Sequence, residues 1–301
     1  MTNTHSGSPT FRRHSLAIII PVLLFQQTLG GITFPVAKFG LEQIEPFTFA
    51  FFRFVISVLI LFVLARRSRG NLPIARSDLW KIIGLGLLIV PGNQVLYLAG
   101  QNLTGVGHGS LLFATTPVFI LMAAVIHLKE KLLWRRVAGT AIALAGVATI
   151  MITGAIEISI DYLWGDLLIL VAVIAWAYYT VLGKPLVEKY GAMRVTAYAL
   201  GSGTLFYFPF GLFRALASDY SAVTWQAWGS VLYLAIGTSV GAYVLWYWVL
   251  RQMDATRIAV YHNLQPVVAV SIAHIWMGET LGVSFVVGGL IVLGGLILAE
   301  L

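Results

Sequence analysis

At 301 residues, 59% hydrophobic and only 10% charged, the chain falls far short of the ~25% charge that covers an average soluble domain, which excludes a water-soluble enzyme or binding module. Cysteine is absent, so disulfides, thiolate nucleophiles and zinc–thiolate sites are excluded as well. The net charge of +7 lies in the connections between apolar segments, which is a membrane pattern and not a nucleic-acid patch.

Residues 1–14 are polar and end in Arg12-Arg13-His14. Paired arginines before an apolar run resemble an export signal, but the run that follows is far longer than a signal segment. An uncleaved first helix is therefore expected. Apolar segments follow at 15–39, 45–64, 79–100, 107–127, 133–152, 163–184, 193–213, 226–249, 256–277 and 282–300. Each approaches the ~20 residues a helix needs to cross a bilayer. The connections are too short to hold a soluble domain.

Placing the N-terminus inside puts 16 of the 19 basic residues in cytoplasmic segments. The outer loops carry Glu42, Glu45, Glu157, Asp161 and Asp219 instead. This bias predicts a multi-pass plasma-membrane protein with both termini in the cytoplasm.

An internal repeat sets the architecture. Gly92/Gly241, Pro117/Pro266, Ala124/Ala273, Glu130/Glu279, Leu132/Leu281, Gly139/Gly288, Ile142/Ile291 and Gly146/Gly295 all pair at one offset of 149 residues. Each half, 15–152 and 163–301, holds five segments. Five is odd, so the second half enters from the opposite side. The expectation is an all-α integral membrane protein of ten transmembrane helices in two inverted five-helix repeats. In that architecture solutes bind near the midplane where the halves meet.

The same residues carry a resemblance. Gly31-Ile-Thr-Phe-Pro-Val-Ala-Lys38 followed by Phe51-Phe52-Arg53 resembles the opening of the EamA family in the drug/metabolite transporter superfamily. Pro117 to Glu130 and Pro266 to Glu279, each followed by glycines at Gly139/Gly146 and Gly288/Gly295, resemble its repeated signature. Leu29-Gly30 stands where many members have Trp-Gly. The resemblance covers nearly the whole chain and is nearest to the family's aromatic amino-acid exporters. It implies non-ATP export of small metabolites, amino acids foremost, with no cofactor and no obligate protein partner. Export of cationic drugs or nucleotide-like metabolites is the alternative within the superfamily.

Polar side chains inside apolar spans usually face a bundle interior or a wet cavity, although they also serve as glue between helices. The stretch Tyr261-His262-Asn263-Leu264-Gln265-Pro266 places three hydrogen-bonding side chains and a proline in the ninth span. In the third span Asn93, Gln94 and Tyr97 lie within one turn, and Trp246 of the eighth span is the repeat mate of Tyr97. Thr116 matches Gln265 across the repeat, Tyr243 precedes Trp246, and Trp176 and Tyr179 stand three apart in the sixth span. The candidate lining is thus Asn93, Gln94, Tyr97, Thr116, Trp176, Tyr179, Tyr243, Trp246, His262, Asn263 and Gln265. Rings with a few amides suit a small solute that has an apolar side chain and a polar head. Trp80, Trp134, Trp164 and Trp225, near segment ends, read as interfacial belts.

Lys38 and Arg53 are the basic residues farthest from the cytoplasmic face. An ion pair from Arg53 to Glu42 or Glu45 is expected, with gating or docking of a solute carboxylate as the sharper reading. Pro117 and Pro266 are expected to let their helices flex. Twelve acidic residues occur and none falls mid-span, which favours facilitated efflux over strong proton coupling.

Gly237-Thr-Ser239-Val-Gly241 spells the pattern of a serine nucleophile, and an intramembrane hydrolase would pair Ser239 with His262. That motif belongs on a strand-to-helix turn, so the glycines read as close helix packing and Ser239→Ala should leave a carrier nearly unaffected. Gly105-Val-Gly-His-Gly109 reads as a flexible connection and not a phosphate loop. A channel would also be polytopic, but an inverted repeat favours a carrier.

Overall fold

The computed structural model describes residues 14–67, 73–103, 112–151, 162–277 and 283–301, and among these it is helical throughout, without strands. In chain order the helices are α1 (Leu16–Leu41), α2 (Pro46–Arg67), α3 (Arg76–Leu103), α4 (Leu112–Leu128), α5 (Trp134–Met151), α6 (Leu163–Tyr190), α7 (Ala192–Ala217) and α8 (Trp225–Leu250). Then α9 runs through Ala255–Ala259, Val260–Asn263 and Leu264–Met277, and α10 is Val283–Glu300. Seven of them, α1, α2, α3, α6, α8, α9 and α10, are long and apolar enough to cross a membrane, and α4 is a shorter apolar helix.

Burial is inverted relative to a water-soluble protein. Leu205, Phe206, Leu216 and Val283 stand open on the outside, while Gln27, Arg53, Asn93, His262 and Asn263 are buried. Such an exterior is stable only against lipid. Trp80, Trp134, Trp164 and Trp225 are exposed at or near helix starts, the position expected of interfacial rings.

Small residues bring the helices together. A Cβ added to Gly139 would lie 2.5 Å from the Gly295 carbonyl oxygen, and one added to Gly146 would lie 2.6 Å from that of Gly288. Gly139 therefore meets Gly295 and Gly146 meets Gly288, so α5 and α10 cross antiparallel at backbone contact. Gly86 of α3 and Gly203 of α7 meet in the same way. Around these crossings α1 packs on α8 and α9, α6 packs on α3 and α4, and α2 lies against α7.

Four helices depart from the α-ladder near the centre. Leu88–Val95 of α3 and Leu234–Ala242 of α8 are π-helical, a form that often marks functional segments. Pro91 lies in the first and has no N–H for the ladder. Thr115 interrupts α4 just before Thr116–Ala123, and the 3-10 turn Val260–Asn263 interrupts α9. Pro117 and Pro266 each fall in the first turn after the break, where a missing N–H costs little. They mark joints between helix pieces.

Candidate functional site

Arg53 organises the centre of the bundle. It projects from the middle of α2, is 1% exposed, and donates from Nε to Ser239 Oγ (2.9 Å), from Nη1 to Gln94 Oε1 (2.7 Å) and from Nη2 to the Tyr243 hydroxyl (3.3 Å). All three acceptors are neutral. The expected carboxylate partners are elsewhere: Glu45 pairs with Arg214 at 2.8 Å, and among the described residues no carboxylate reaches Arg53. The reason is depth. Glu42 and Glu45 sit in the connection after α1, whereas Arg53 points inward toward the π-helical stretches of α3 and α8. Lys38 is exposed and borders a separate crevice at the far end of α1 together with Glu42, Tyr233 and Trp276.

Beside this network lies a cavity of about 50 Å³, room for a few water molecules. Gln26, Gly30, Thr33 and Phe34 of α1 line it, with Gln94 and Tyr97 of α3, Phe113 of α4 and Trp176 of α6. Thr238, Ala242 and Tyr243 of α8 and His262 and Gln265 of α9 complete it. Gly30 leaves room for the Gln265 amide, whose nitrogen a Cβ there would approach to 2.6 Å and push aside.

One wall is a set of rings. Trp176 lies 5.3 Å from Tyr243 and donates its indole N–H to His262 Nε2 at 3.1 Å. His262 Nε2 thus accepts, and its other ring nitrogen, Nδ1, lies 3.3 Å from the Gln265 amide nitrogen, itself a donor. Gln265 also meets Gln27 at 2.8 Å. A second set of lining rings, Phe34, Tyr97 and Phe113, meets edge to face, with centroids 5.2–6.1 Å apart.

Of the eleven candidate residues, six line this cavity: Gln94, Tyr97, Trp176, Tyr243, His262 and Gln265. The others stand behind them. Asn93 donates to the Ala172 carbonyl at 2.7 Å and accepts from Gln94. Thr116 bonds the Phe113 carbonyl, Tyr179 stacks on Tyr247 at 4.7 Å, and Trp246 donates to Thr180 at 3.1 Å while its ring lies 4.5 Å from His262. Asn263 is wholly buried, and neither of its amide atoms has a partner among the described residues. Ser239 Oγ accepts from Arg53 Nε, which gives it a role in holding the guanidinium that the expectation of a nearly harmless Ser239→Ala did not weigh. The segment Gly105–Gly109 and Glu279 lie outside the described residues.

Sequence reasoning missed Gln26, Gln27, Thr33, Phe34, Phe113 and Thr238. Adjacent glutamines inside an apolar run carry the same signal that singled out Asn93 and Gln94. The phenylalanines carry none, since nothing in the pattern separates a lining ring from a lipid-facing one.

The ends of α4 and α6 and the starts of α3 and α9 hold charge. Glu130 follows α4 and accepts from Lys184 of α6 at 2.8 Å and from the backbone N–H groups of Ala255 and Thr256, each at 2.9 Å, at the start of α9. Burial pushes its carboxyl up, but the Lys184 ammonium and the two N–H groups hold it below its ordinary range. Asp78 of α3 binds Lys189 at 2.7 Å and the Tyr190 hydroxyl at 2.8 Å.

Comparison with known proteins places this geometry. Residues 17–152 and 163–301 each match the EamA-like transporter family. An "Uncharacterized transporter" of Archaeoglobus fulgidus is 32% identical over 87% of this chain and 90% of its own length. A "Probable terminal-alkyne amino-acid exporter" of Streptantibioticus cattleyicolor is 28% identical over 88% of this chain and 87% of its own. A "Probable amino-acid metabolite efflux pump" of Salmonella typhimurium is 26% identical over 88% and 89%. One solved structure superposes with a TM-score of 0.78 over 95% of this chain and 97% of that one at 18% identity, a likeness of fold. The chain belongs to the EamA-like transporter family: it is a multi-pass plasma-membrane transporter and not an enzyme.

Proposed function

We propose that this transporter is a secondary exporter of small metabolites, amino acids including aromatic ones foremost, working by alternating access around the central cavity. Its ten helices cross the membrane as two inverted five-helix units, 15–152 and 163–301, with residues 1–14 and the C-terminus in the cytoplasm. The observation that carries the reading is where the repeat mates fall. Gln94 and Tyr243, 149 residues apart, hold Arg53 from opposite halves, and Phe113 and His262, at the same offset, both line the cavity. Exchanging α1–α5 with α6–α10 maps α1·α9 onto α6·α4 and α1·α8 onto α6·α3, and all four pairs are in contact. The antiparallel glycine crossing of α5 and α10 obeys the same exchange. A solute site on that pseudo-two-fold axis is what an inverted-repeat carrier needs.

Aromatic walls with Gln94, Gln265 and His262 suit an apolar side chain carrying a polar head, and two relatives bear names that refer to amino acids. The test is counterflow. Protein reconstituted in liposomes preloaded with unlabelled phenylalanine should accumulate labelled phenylalanine saturably, with no imposed pH gradient. Non-saturable flux would indicate a channel, and strict dependence on a proton gradient would overturn facilitated efflux.

A further inference from the structure

We propose that the cavity, widening from its ~50 Å³ as the halves move, takes its solute as a zwitterion, with the guanidinium of Arg53 receiving the carboxylate and the side-chain oxygen of Gln26 receiving the ammonium. This rests on the export reading above and narrows it to solutes that carry a carboxylate, against the cationic ones the superfamily also suggests.

The first observation is an uncompensated charge. Arg53 is 1% exposed in the middle of its helix, and its Nε, Nη1 and Nη2 contacts go to a hydroxyl, an amide oxygen and a phenol. Neutral acceptors satisfy hydrogen bonds without cancelling charge, and an isolated cation in a low-dielectric interior is costly. Five carboxylates among the described residues are committed elsewhere: Glu45 to Arg214, Asp78 to Lys189, Glu130 to Lys184, Asp254 to Arg136 and Glu300 to Arg257. Among the described residues no acidic side chain lines the cavity. Two of the three groups holding Arg53, Gln94 and Tyr243, do line it, so the charge sits one side chain behind the wall. The Tyr243 contact is the longest at 3.3 Å, which makes it the one an incoming carboxylate would displace.

The second observation is independent and lies on α1. Gln26 is 2% exposed and lines the cavity, and its Oε1 has no donor within reach among the described residues. A buried carbonyl oxygen left unpaired is a standing cost that an N–H of the solute removes. The faces of Trp176 and Tyr243 offer the same ammonium a cation–π surface. The cavity thus lacks one anion and one donor, the two poles of an amino acid. A solute with an ammonium alone meets the field of Arg53 with nothing to offset it.

The experiment is competition against phenylalanine counterflow in liposomes by phenylalaninamide, phenethylamine and 3-phenylpropionate, with the wild-type protein and with Arg53→Gln. The amide and the amine, which lack the carboxylate, should compete roughly ten- to a hundred-fold more weakly than phenylalanine, the range of a lost charge-assisted contact. The propionate, which lacks the ammonium, should fall between. Arg53→Gln should bring phenylalanine down to the level of its amide. If the amide matches phenylalanine in the wild type, the proposal fails whether or not the variant folds, while export still stands. If 3-phenylpropionate outcompetes phenylalanine, the Gln26 pole is wrong. Absence of saturable phenylalanine flux would instead remove the export reading on which the proposal rests.

Discussion

Adjacent glycines on α10 should answer oppositely to the same substitution. A Cβ added to Gly295 would stand 2.5 Å from the Gly139 carbonyl oxygen, whereas one added to Gly294 meets nothing within 4 Å. Ordinary contact begins at 3.4 Å, so Gly295→Ala has to part α5 and α10 by roughly 0.9 Å against backbone that cannot swing aside. Overpacking of this kind costs about 1–3 kcal/mol, and the gain in helix propensity returns at most about 1 kcal/mol. Gly294→Ala keeps the gain alone. The two variants should differ by about 2 kcal/mol in detergent, read from denaturant midpoints by tryptophan fluorescence with flux measured alongside. Gly139→Ala combined with Gly295→Ala should cost less than the sum, because the first alanine has already parted the helices. Equal midpoints for Gly294→Ala and Gly295→Ala would refute the crossing, and with it the best structural argument for inverted halves.

Three further outcomes follow from the site. Ser239→Ala removes the Nε acceptor of Arg53 and should lower flux several-fold with normal membrane insertion, whereas wild-type flux would show that Gln94 and Tyr243 suffice to place the guanidinium. His262→Ala, Gln265→Ala and Trp246→Ala should each impair counterflow without blocking insertion, the last through the imidazole its ring packs against at 4.5 Å, and full activity in all three would remove the site. Glu130 has a folded carboxyl held below its ordinary range, so its contribution is complete above the unfolded value and disappears as pH falls through the lower, folded one. Wild type should therefore outlast Glu130→Gln in thermal unfolding at neutral pH, and the gap should close in acid. A gap independent of pH would assign the effect to shape and not to charge.

The sequence carried the apolar helices and about half of the candidate residues that line the cavity, for identifiable reasons. Apolar runs and the 149-residue offset are long-range patterns, so local accidents do not erase them. Polar residues in apolar spans located Gln94, His262 and Gln265 by the same logic that predicts burial of unsatisfied groups. That logic reports that a side chain turns inward; it is silent on whether it meets a cavity or another helix. Asn93 and Thr116 turn inward and spend their bonds on backbone carbonyls. The partner of Arg53 was out of reach for another reason. Charge neutrality suggests the nearest carboxylate along the chain, whereas helix rotation aims the guanidinium at α3 and α8, whose π-helical stretches set Gln94, Ser239 and Tyr243 around it. Local winding of that kind has no sequence signature beyond Pro91 and the nearby glycines.

The two ends of the bundle are closed by different chemistry, which bears on the resting state. At the end that holds Lys38, α1 meets α8 through Thr33 and Thr238 at 2.6 Å and through the Tyr233 hydroxyl on the Leu29 carbonyl at 3.0 Å, both neutral bonds. The other end joins α3 and α4 to α6 and α9 through Asp78–Lys189 and Glu130–Lys184, with Glu130 also capping α9. Glu130 and Lys184 are nearly buried, so parting them exposes two charges that lose their partners together. The Lys38 end has its own ion pair, Glu45–Arg214, but that pair is more exposed than Glu130–Lys184 and so cheaper to part. A rocking motion that opens the Lys38 end is therefore the cheaper one, and the outward-open state should dominate at rest. The chain has no native cysteine, so single reporters label without background. Ser230→Cys borders the crevice at the Lys38 end and Leu88→Cys the crevice at the opposite end. In the otherwise unaltered protein a soluble maleimide should modify the first faster than the second, and adding Glu130→Gln should speed the second at the expense of the first. If Glu130→Gln leaves both rates alone, the charged cluster is scaffolding and the energetic difference between the ends lies elsewhere.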